Sequence, residues 1–509
     1  MSRAEPLTIR LHAADNVVVA RHELAPESVV GAENLTVRER VPTGHKVATS
    51  AIVAGEPVRK YDQIIGFASR DIAPGEHVHV HNLEMRNFDR DYAIGTEVRP
   101  TDMVAEDQRA SFMGFVREDG RVATRNYVGI LSTVNCSATV VHRIADAFRG
   151  EALAEFPGID GVVGLSHGTG CGMAHDGEGF AHFARTVAGY ATHPNFAGVL
   201  LMGLGCEVAQ IRSVLDAAGL EAGPRLRTMT IQDGGGTVAT VRDGEATVRE
   251  MLAEVQGAER QEVPAAHLVL GLECGGSDGY SGISANPALG AAADLLVRHG
   301  GTAVLAETPE IYGAEHLLTR RAVSREVAEK LIERVRWWED YTARNGGSMD
   351  NNPTPGNKEG GLTTILEKSL GATAKGGTTN LVDVYHYAER VTKRGFVFMD
   401  TPGYDPVSVT GMVAGGANVV CFTTGRGSVF GCKPVPCLKL ATNSAMYHRM
   451  ADDMDINCGE VVDGSATVEE VGARIFELVL ATASGAKSRS EAHGFGDNEF
   501  LPWQLGAVM

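Results

Sequence analysis

Four turns of the sequence place a cysteine in or near the point where an apolar segment ends. Each segment is rich in Val, Ile and Leu and ends in glycine and polar residues, and the thiols belong to Cys136, Cys171, Cys206 and Cys274. A thiol in such a turn can ligate a metal, or react, when its surroundings favour the thiolate. The sequence therefore predicts metal or thiolate chemistry at these turns.

The spacing of the cysteines indicates which elements position them. Cys136, Cys171 and Cys206 follow one another at intervals of 35 residues, and Cys274 comes 68 residues later. A strand, a crossover helix and their loops need about 30 or more residues. Continuous apolar runs are typical of strands covered on both faces, as in parallel sheets. We therefore expect the thiols at the carboxyl ends of parallel strands, where open α/β sheets bind ligands. The pattern after Cys136 also predicts a helix that begins there.

Composition limits the class of protein. A chain of 509 residues is too long for one core, so two or three domains are expected. The net charge of −18 argues against a nucleic-acid partner. No apolar run reaches the length of a membrane span, and the first residues lack the apolar core of a signal peptide. Eight scattered cysteines are typical of reduced thiols, so we expect a cytoplasmic protein without membrane contact.

The chain divides by pattern into three parts. Residues 1–97 read as short strands and turns, which predicts a small all-β domain, and residues 98–113 read as a polar linker. Residues 114–262 and 263–509 each alternate apolar runs with helical patterns, which predicts two α/β domains. None of the glycine-rich turns combines G-x-G-x-x-G with a later acidic residue, so no nicotinamide cofactor is expected.

Two groups in the all-β domain are candidates for proton transfer or metal binding. His45 and Lys46 follow a glycine in a turn, and a neighbouring ammonium lowers an imidazole pKa toward the range of a proton carrier. His77, His79 and His81 alternate, so a strand would place them on one face. That face is interpreted either as a metal site or as a solvated strand edge.

Longer motifs carry a resemblance to a known family. The segments GHKVA, TRNYVGILSTVNCSA, HGTGCG, GLGCE, ECGGSDGYSGISANPA, NPTPGNK, KGGTTN and FTTGRG occur in this order. Together they resemble the altronate/galactarate dehydratase family from about residue 12 to the C-terminus. The resemblance implies a SAF-type β-clip domain at the N-terminus, a middle domain that mediates homodimerisation, and a last domain with a Rossmann-like parallel sheet. It also implies an iron-dependent enzyme that dehydrates a sugar acid to a 2-keto-3-deoxy acid. The VHVHNL segment resembles the altronate branch, so D-altronate is the preferred substrate.

This chemistry sets the groups that the site needs. Removing the proton on C2, beside a carboxylate, calls for a divalent cation, and expelling the C3 hydroxyl calls for an acid. The predicted metal is Fe²⁺, with Mn²⁺ or Zn²⁺ as alternatives, and the predicted ligands are Cys136, His167, Cys206, Cys274 and Asp278, with Cys171 in reserve. Three of the thiols could instead hold an iron–sulfur cluster with one open iron. The predicted proton carriers are His45, Lys46 and His81. The predicted substrate-binding residues are Arg125, Asn357, Lys358 and Arg426.

Three other functions stay open at this point. Galactarate dehydration uses the same chemistry on another sugar acid. Sulfolactate sulfo-lyases share most of the motifs, but their β-clip domain is usually a separate chain, which weighs against them here. A non-catalytic sugar-acid-binding protein would have lost the acid, base and metal groups, whereas His45, Lys46 and the four thiols are present.

Overall fold

The computed structural model describes residues 6–88 and 90–508; the predicted end points at residues 1 and 509 lie outside these ranges. An N-terminal β-module precedes two α/β regions, and each α/β region is built on its own parallel sheet. The predicted fold class is therefore confirmed. None of the helices in the described ranges is long and apolar enough to cross a membrane.

The N-terminal module consists of short antiparallel strands. Turns with glycine or proline interrupt the chain every few residues, which keeps each strand short. Two sheets with the orders β1-β2-β5-β8 and β6-β7-β9, and the pair β3-β4, enclose a small valine-rich core. The strands are β1 (Thr8–Ile9), β2 (Val17–Ala20), β3 (Val29–Val30), β4 (Leu35–Thr36), β5 (Lys46–Ala48), β6 (Pro57–Lys60), β7 (Gln63–Ala68), β8 (His77–Val78) and β9 (Leu83–Glu84).

The segment predicted as a linker follows the surface of the C-terminal region. The Val104 amide donates to the Arg298 carbonyl at 2.9 Å, and the Ala110 amide donates to His299 Nδ1 at 2.9 Å. The chain then enters a three-stranded antiparallel sheet of order β11-β10-β16, in which β10 and β11 form a hairpin around the segment REDGR. Its strands are β10 (Ser111–Val116), β11 (Val122–Ala123) and β16 (Arg260–Pro264).

The middle region is a four-stranded parallel sheet of order β13-β12-β14-β15 with helices on both faces. All eight residues of β14 are buried, as expected of a strand covered on both sides. The elements are β12 (Tyr127–Ser132), α1 (Ala138–Asp146), α2 (Glu151–Ala154), β13 (Gly161–Leu165), α3 (Gly177–Ala191), β14 (Phe196–Gly203), α4 (Ile211–Ala218), β15 (Leu226–Thr230) and α5 (Thr237–Val255).

The C-terminal region is built on a seven-stranded parallel sheet of order β19-β20-β18-β17-β21-β22-β23. Its strands are β17 (Val269–Cys274), β18 (Thr302–Leu305), β19 (Leu381–Tyr385), β20 (Gly395–Met399), β21 (Val419–Thr424), β22 (Cys437–Ala441) and β23 (Ile456–Asn457). Its helices are α6 (Ala285–Arg298), α7 (His316–Thr319), α8 (Arg325–Arg344), α9 (Pro355–Glu359), α10 (Ile365–Thr373), α11 (Asp405–Ala414), α12 (Ser444–Arg449), α13 (Glu460–Asp463), α14 (Val468–Ala483) and α15 (Arg489–Ala492).

The strand order of this sheet creates a switch point beside β17. From β17 the chain forms β18, β19 and β20, which all lie on one side of β17. It then crosses to the other side, where β21 pairs with β17. Connections that leave neighbouring strands in opposite directions open a crevice at the carboxyl ends, where open α/β sheets bind ligands. The loops that follow β17 and β21 form this crevice.

Buried histidines join the two α/β regions. His193 Nε2 lies 3.0 Å from the Ala417 carbonyl oxygen, and the His182 ring stacks on Trp503 with the ring centroids 4.8 Å apart. Burial lowers the pKa of His193 to about 4 and that of His182 to about 3. Both rings are therefore neutral in the folded protein at neutral pH.

Acid should weaken this junction. Between about pH 6.5 and pH 4 the unfolded chain binds a proton at residue 193 and the folded chain does not, so stability is lost as the pH falls. In His193→Gln, the slope of the free energy of unfolding against pH in this range should shrink by about one proton. Denaturant titrations between pH 7.5 and 4.5 measure it. The matched control is His175→Gln, whose ring is 81% exposed. Equal slopes in His193→Gln and wild type would contradict the assignment.

Candidate active site

The crevice at the switch point is lined by residues of three loops. Asp278, in the loop after β17, accepts hydrogen bonds from the Thr442 hydroxyl at 3.0 Å, the Asn443 side-chain amide at 3.1 Å and the Ser281 hydroxyl at 3.1 Å. A Cβ on Gly425, after β21, would lie 2.1 Å from the Asp278 carboxyl carbon, so this backbone approach requires glycine. Asp278 therefore ties the loops after β17, β21 and β22 together.

The N-terminal module covers this crevice through the turn that carries His45. A Cβ on Gly279 would lie 2.1 Å from the Gly44 carbonyl oxygen, and one on Gly361 would lie 2.4 Å from the same atom. The Tyr280 hydroxyl donates to the Ala20 carbonyl at 2.8 Å. The backbones of the two domains are thus in direct contact, which fixes where His45 lies.

A buried ion triad locks the module onto α10. The Glu367 carboxylate accepts hydrogen bonds from the Lys46 ammonium at 2.8 and 3.0 Å and from the Lys60 ammonium at 3.0 Å. All three side chains are at most 1% exposed. Burial alone would raise the pKa of the Glu367 carboxyl, but the two ammonium groups hold that pKa well below its ordinary value. Lys46 is therefore committed to a structural contact.

Three histidines form a cluster at the edge of the module that faces the crevice. His45 Nδ1 lies 3.0 Å from His77 Nε2, and the His45 and His79 ring centroids are 4.7 Å apart. One ring nitrogen from each of the three lies within 4.8 Å of the others. His45 Nε2 lies 3.1 Å from the Glu359 carbonyl oxygen, which only accepts hydrogen bonds, so Nε2 carries the proton. The Nδ1 lone pair of His45 is left facing His77.

The electrostatics of this cluster favour neutral imidazoles. Burial and the neighbouring imidazoles lower the pKa of His77 and of His79 to about 3, and burial also lowers the pKa of His45. The Nδ1 atom of His79 is buried and has no hydrogen-bond partner among the described residues. Neutral imidazole is the form that ligates metals. We call the three histidines, with the crevice they face, the histidine cleft.

Two of the predicted site residues, Arg426 and His81, lie beside the histidine cleft, and a third, Lys358, is close to it in the sequence. The Arg426 guanidinium lies 3.4 Å from the Glu359 carboxylate, and its side chain is 47% exposed. Lys358 precedes Glu359 in α9. His81 is exposed, and its ring centroid is 5.3 Å from that of His77. A guanidinium and an exposed imidazole therefore lie beside a cluster in which His45 is buried and His77 and His79 are half-buried.

A second cluster lies at the carboxyl ends of β17 and β18 and is fully buried. The Lys375 ammonium donates to Cys274 Sγ at 2.8 Å and to the Glu307 carboxylate at 2.9 Å, and Lys368 donates to Glu310 at 2.7 Å. Burial and Glu307 raise the pKa of the Cys274 thiol. Glu307 has a φ of 69°, a strained conformation for a residue with a side chain. Two lysines already balance the charge of these acidic groups.

The other predicted metal ligands lie in the middle region. Cys136, Cys171 and Cys206 are exposed at the carboxyl ends of β12, β13 and β14. His167 is buried below them, and its Nε2 lies 2.9 Å from the Ser132 carbonyl oxygen while its Nδ1 accepts from the Thr169 amide. The structure therefore does not bring the five predicted ligands together: Cys274 lies in the buried cluster, and Asp278 in the crevice is satisfied by hydrogen bonds.

Two of the predicted substrate-binding residues have structural partners. The Arg125 guanidinium pairs with the Glu491 carboxylate at 2.6 and 2.8 Å, at the amino end of β12 and away from the crevice. The Asn357 side chain caps α9 through Thr354 and donates to the Ser277 carbonyl at 2.9 Å, so it holds α9 against the loop after β17. Arg426 remains beside the histidine cleft, and Lys358 lies one residue before Glu359 in α9.

Several charged residues of the interior are not predicted from the sequence. Lys60, Glu367 and Lys368 are buried, and the last two lie in α10, a helix whose nine residues are all buried. A signal was present in the sequence, because an adjacent Glu and Lys interrupt an otherwise small and apolar helical segment. Charged residues are seldom fully buried without a partner.

Comparison with known proteins identifies the family. Residues 6–86 match the altronate/galactarate dehydratase SAF domain, and residues 114–256 match the second domain of D-galactarate dehydratase/altronate hydrolase. Residues 265–508 match the C-terminal domain of D-galactarate/altronate dehydratase. The chain belongs to the altronate/galactarate dehydratase family. It is accordingly an enzyme of the carbon–oxygen hydro-lyase class.

Members of the altronate/galactarate dehydratase family match this chain over most of its length. Altronate dehydratase of Bacillus subtilis (strain 168) is 33% identical over 96% of this chain and 97% of its own length. Galactarate dehydratase (L-threo-forming) of Escherichia coli (strain K12) is 36% identical over 94% of this chain and 93% of its own. The subunit beta of (2R)-sulfolactate sulfo-lyase of Chromohalobacter salexigens is 31% identical and covers 78% of this chain and 97% of its own length.

Removing the charge of Glu367 should release the N-terminal module. In Glu367→Gln, two buried ammonium groups lose their counter-charge, which costs about 3–5 kcal/mol. We expect a free energy of unfolding lower by that amount and faster proteolysis within residues 87–110. Denaturant unfolding and limited proteolysis measure the two effects.

The matched control is Glu329→Gln, which removes an exposed carboxylate 3.6 Å from Arg325. This surface pair should contribute less than about 1 kcal/mol. A Glu367→Gln protein as stable as this control would show that the triad does not hold the module.

Proposed function

We propose that the protein dehydrates a sugar acid to a 2-keto-3-deoxy acid, with D-altronate as its preferred substrate, and that the reaction takes place at the histidine cleft. The observation that carries the proposal is the cluster of three histidines, His45 buried and His77 and His79 half-buried, that faces the switch point of a parallel sheet. Arg426 lies beside this cluster, and Lys358 lies one residue before Glu359 in α9, which suits an anionic substrate. The family relationship supports dehydration as the reaction.

The histidine cluster fits a divalent metal ion. The three ring nitrogens lie close enough to share one ion, the rings are neutral, and His79 Nδ1 is a buried atom without a partner. The bond from His45 Nε2 to the Glu359 carbonyl fixes the tautomer that leaves Nδ1 free. His45, His77 and His79 would thus hold the ion, and imidazole ligands suit Fe²⁺, with Mn²⁺ or Zn²⁺ as alternatives. When bound, such an ion stabilises the negative charge that develops on the substrate carboxylate during loss of the C2 proton.

The side chains at the opening bind and orient the substrate. Arg426 binds a carboxylate through two parallel hydrogen bonds, and its existing contact with Glu359, at 3.4 Å and half exposed, is weak enough to be exchanged. Lys358 adds a second positive charge on the same side. The carboxylate of the sugar acid is thereby held with its C2 and C3 carbons toward the histidines.

His81 is the proton carrier in this proposal. It is exposed beside His77, and an imidazole can accept the proton from C2 and return one to the departing C3 hydroxyl. Lys46 is bonded to Glu367 and to the Gly361 carbonyl, so its role is to position the His45 turn. His45 itself belongs to the ligand set.

Product formation tests the function. The full chain, loaded with Fe²⁺ without oxygen, should form a 2-keto-3-deoxy acid from D-altronate with a higher kcat/KM than from galactarate, and should release no sulfite from sulfolactate. A higher value on galactarate would assign that substrate instead, as in the relative from Escherichia coli. No keto acid from any sugar acid, with iron content confirmed, would refute the dehydratase proposal.

Two substitutions locate the metal and separate it from proton transfer. In His77→Ala, Mn²⁺ affinity should fall by more than about 100-fold, because losing even an outer partner of a ligand costs 10–100-fold. In His81→Asn, kcat should fall by about 10²–10⁴-fold with Mn²⁺ affinity unchanged. Titrations followed by electron paramagnetic resonance, together with steady-state kinetics, measure both.

Cys274→Ser is the matched control, because it alters a ligand type in the buried cluster without touching the histidines. Mn²⁺ affinity should stay at the wild-type value. If Cys274→Ser lost the ion and His77→Ala kept it, the metal would belong to the buried cluster.

A further inference from the structure

Three loops at the carboxyl edge of the middle sheet are bound tightly to one another. They follow the adjacent strands β13, β12 and β14, and each carries one of the thiols of Cys171, Cys136 and Cys206. The Asn135 amide donates to the Thr169 carbonyl at 3.0 Å, and the Ala209 amide donates to the Gly170 carbonyl at 3.0 Å. The backbone therefore holds the three thiol-bearing loops in one arrangement.

Close packing between these loops depends on a glycine. Gly170 has a φ of 99°, and a Cβ there would lie 2.1 Å from the Thr133 carbonyl oxygen. The Val208 amide donates to the Cys171 carbonyl at 3.3 Å, which ties the β14 loop to the same point. The fold thus brings together residues that are 35 positions apart in the sequence.

The three thiols form one group at the surface. All three are exposed, on loops that the backbone hydrogen bonds described above join to one another. Thiolates crowded on one surface repel one another, and a positive charge placed between them relieves that repulsion.

The spacing of the sulfurs distinguishes a single metal ion from a centre with several metal atoms. A single tetrahedral ion with bonds of about 2.3 Å holds its sulfur ligands roughly 3.8 Å apart. Within the described ranges, the groups of ligand atoms that all lie within 4.8 Å of one another do not include the three thiols. At least one pair of sulfurs is therefore too far apart for one ion, whereas a polynuclear centre places each thiolate on a different metal atom.

We propose that Cys136, Cys171 and Cys206 ligate a four-iron, four-sulfide cluster whose fourth iron has no protein ligand. Thiolates are the ligands of such clusters, and hydrogen bonds to their sulfurs tune them. The Gln232 side-chain amide already donates one to Cys206 Sγ at 3.3 Å. The open iron would face the surface, because the three thiols are exposed. This centre is separate from the histidine cleft and does not depend on its function.

Anaerobic reconstitution tests the cluster. The reduced full chain, treated without oxygen with equal amounts of Fe²⁺ and Fe³⁺ and with sulfide and then desalted, should retain about four iron and four acid-labile sulfide per chain and show a brown chromophore. Cys136→Ser, Cys171→Ser and Cys206→Ser should each lose most of the sulfide and the colour. Circular dichroism of the variants before reconstitution verifies that they are folded.

Two controls separate this centre from the histidine cleft. Cys274→Ser should keep the sulfide and the colour, because its thiol lies in the buried cluster. His77→Ala should also keep them while it loses Mn²⁺ affinity, so failure of either proposal is distinguishable from failure of the other.

Three outcomes would overturn the proposal. Sulfide retained equally by wild type and Cys206→Ser would show non-specific binding. Iron bound through the three thiols without sulfide would show a single-ion site. A disulfide between Cys136 and Cys171 that persists after treatment with a reductant without oxygen would show that two of the three thiols are not available as ligands.

Discussion

The contact between Glu367 and two lysines is the constraint on which the arrangement of the protein depends. An unpaired charge in an apolar interior is so costly that Glu367, Lys46 and Lys60 stay buried only together. Lys46 and Lys60 belong to the N-terminal module, whereas Glu367 belongs to the C-terminal region. The register of the two domains is therefore fixed by charge, and the glycine contacts around Gly44 follow from that register.

The strand-end thiols illustrate what local sequence can predict. The 35-residue interval reflects the length of chain in one βα unit, and the structure places Cys136, Cys171 and Cys206 after three adjacent strands. Cys274 is the last residue of β17, but the three-stranded antiparallel sheet that β16 closes intervenes before β17, so Cys274 belongs to a second sheet. The 68 residues between Cys206 and Cys274 are close to the length of two βα units, but this length does not reveal whether the same sheet continues or a new sheet begins.

The candidate site was harder to predict because it is assembled across domains. The glycine turn makes His45 a candidate, but its partner Glu359 lies 314 positions later and contributes a backbone carbonyl, which no residue type signals. Arg125 illustrates the converse case. Its motif precedes a buried strand, yet it lies at the amino end of that strand, where Glu491 from the far end of the chain pairs with it. The type of a residue indicates which chemical roles its side chain can take. Its partner from a distant part of the chain determines which of these roles it has in the folded protein.

The division of the histidine cleft between two domains has a consequence for the strength of the site. All three histidines come from the N-terminal module, and the flanking cations come from the C-terminal region. The site is therefore a binding equilibrium between two halves of one chain, joined by a segment that hydrogen bonds hold to the surface at Val104 and Ala110. A short, anchored tether gives a high effective concentration of one half for the other. The fraction of molecules in which the two halves of the site are joined thus depends on the tether as well as on the residues that line the site.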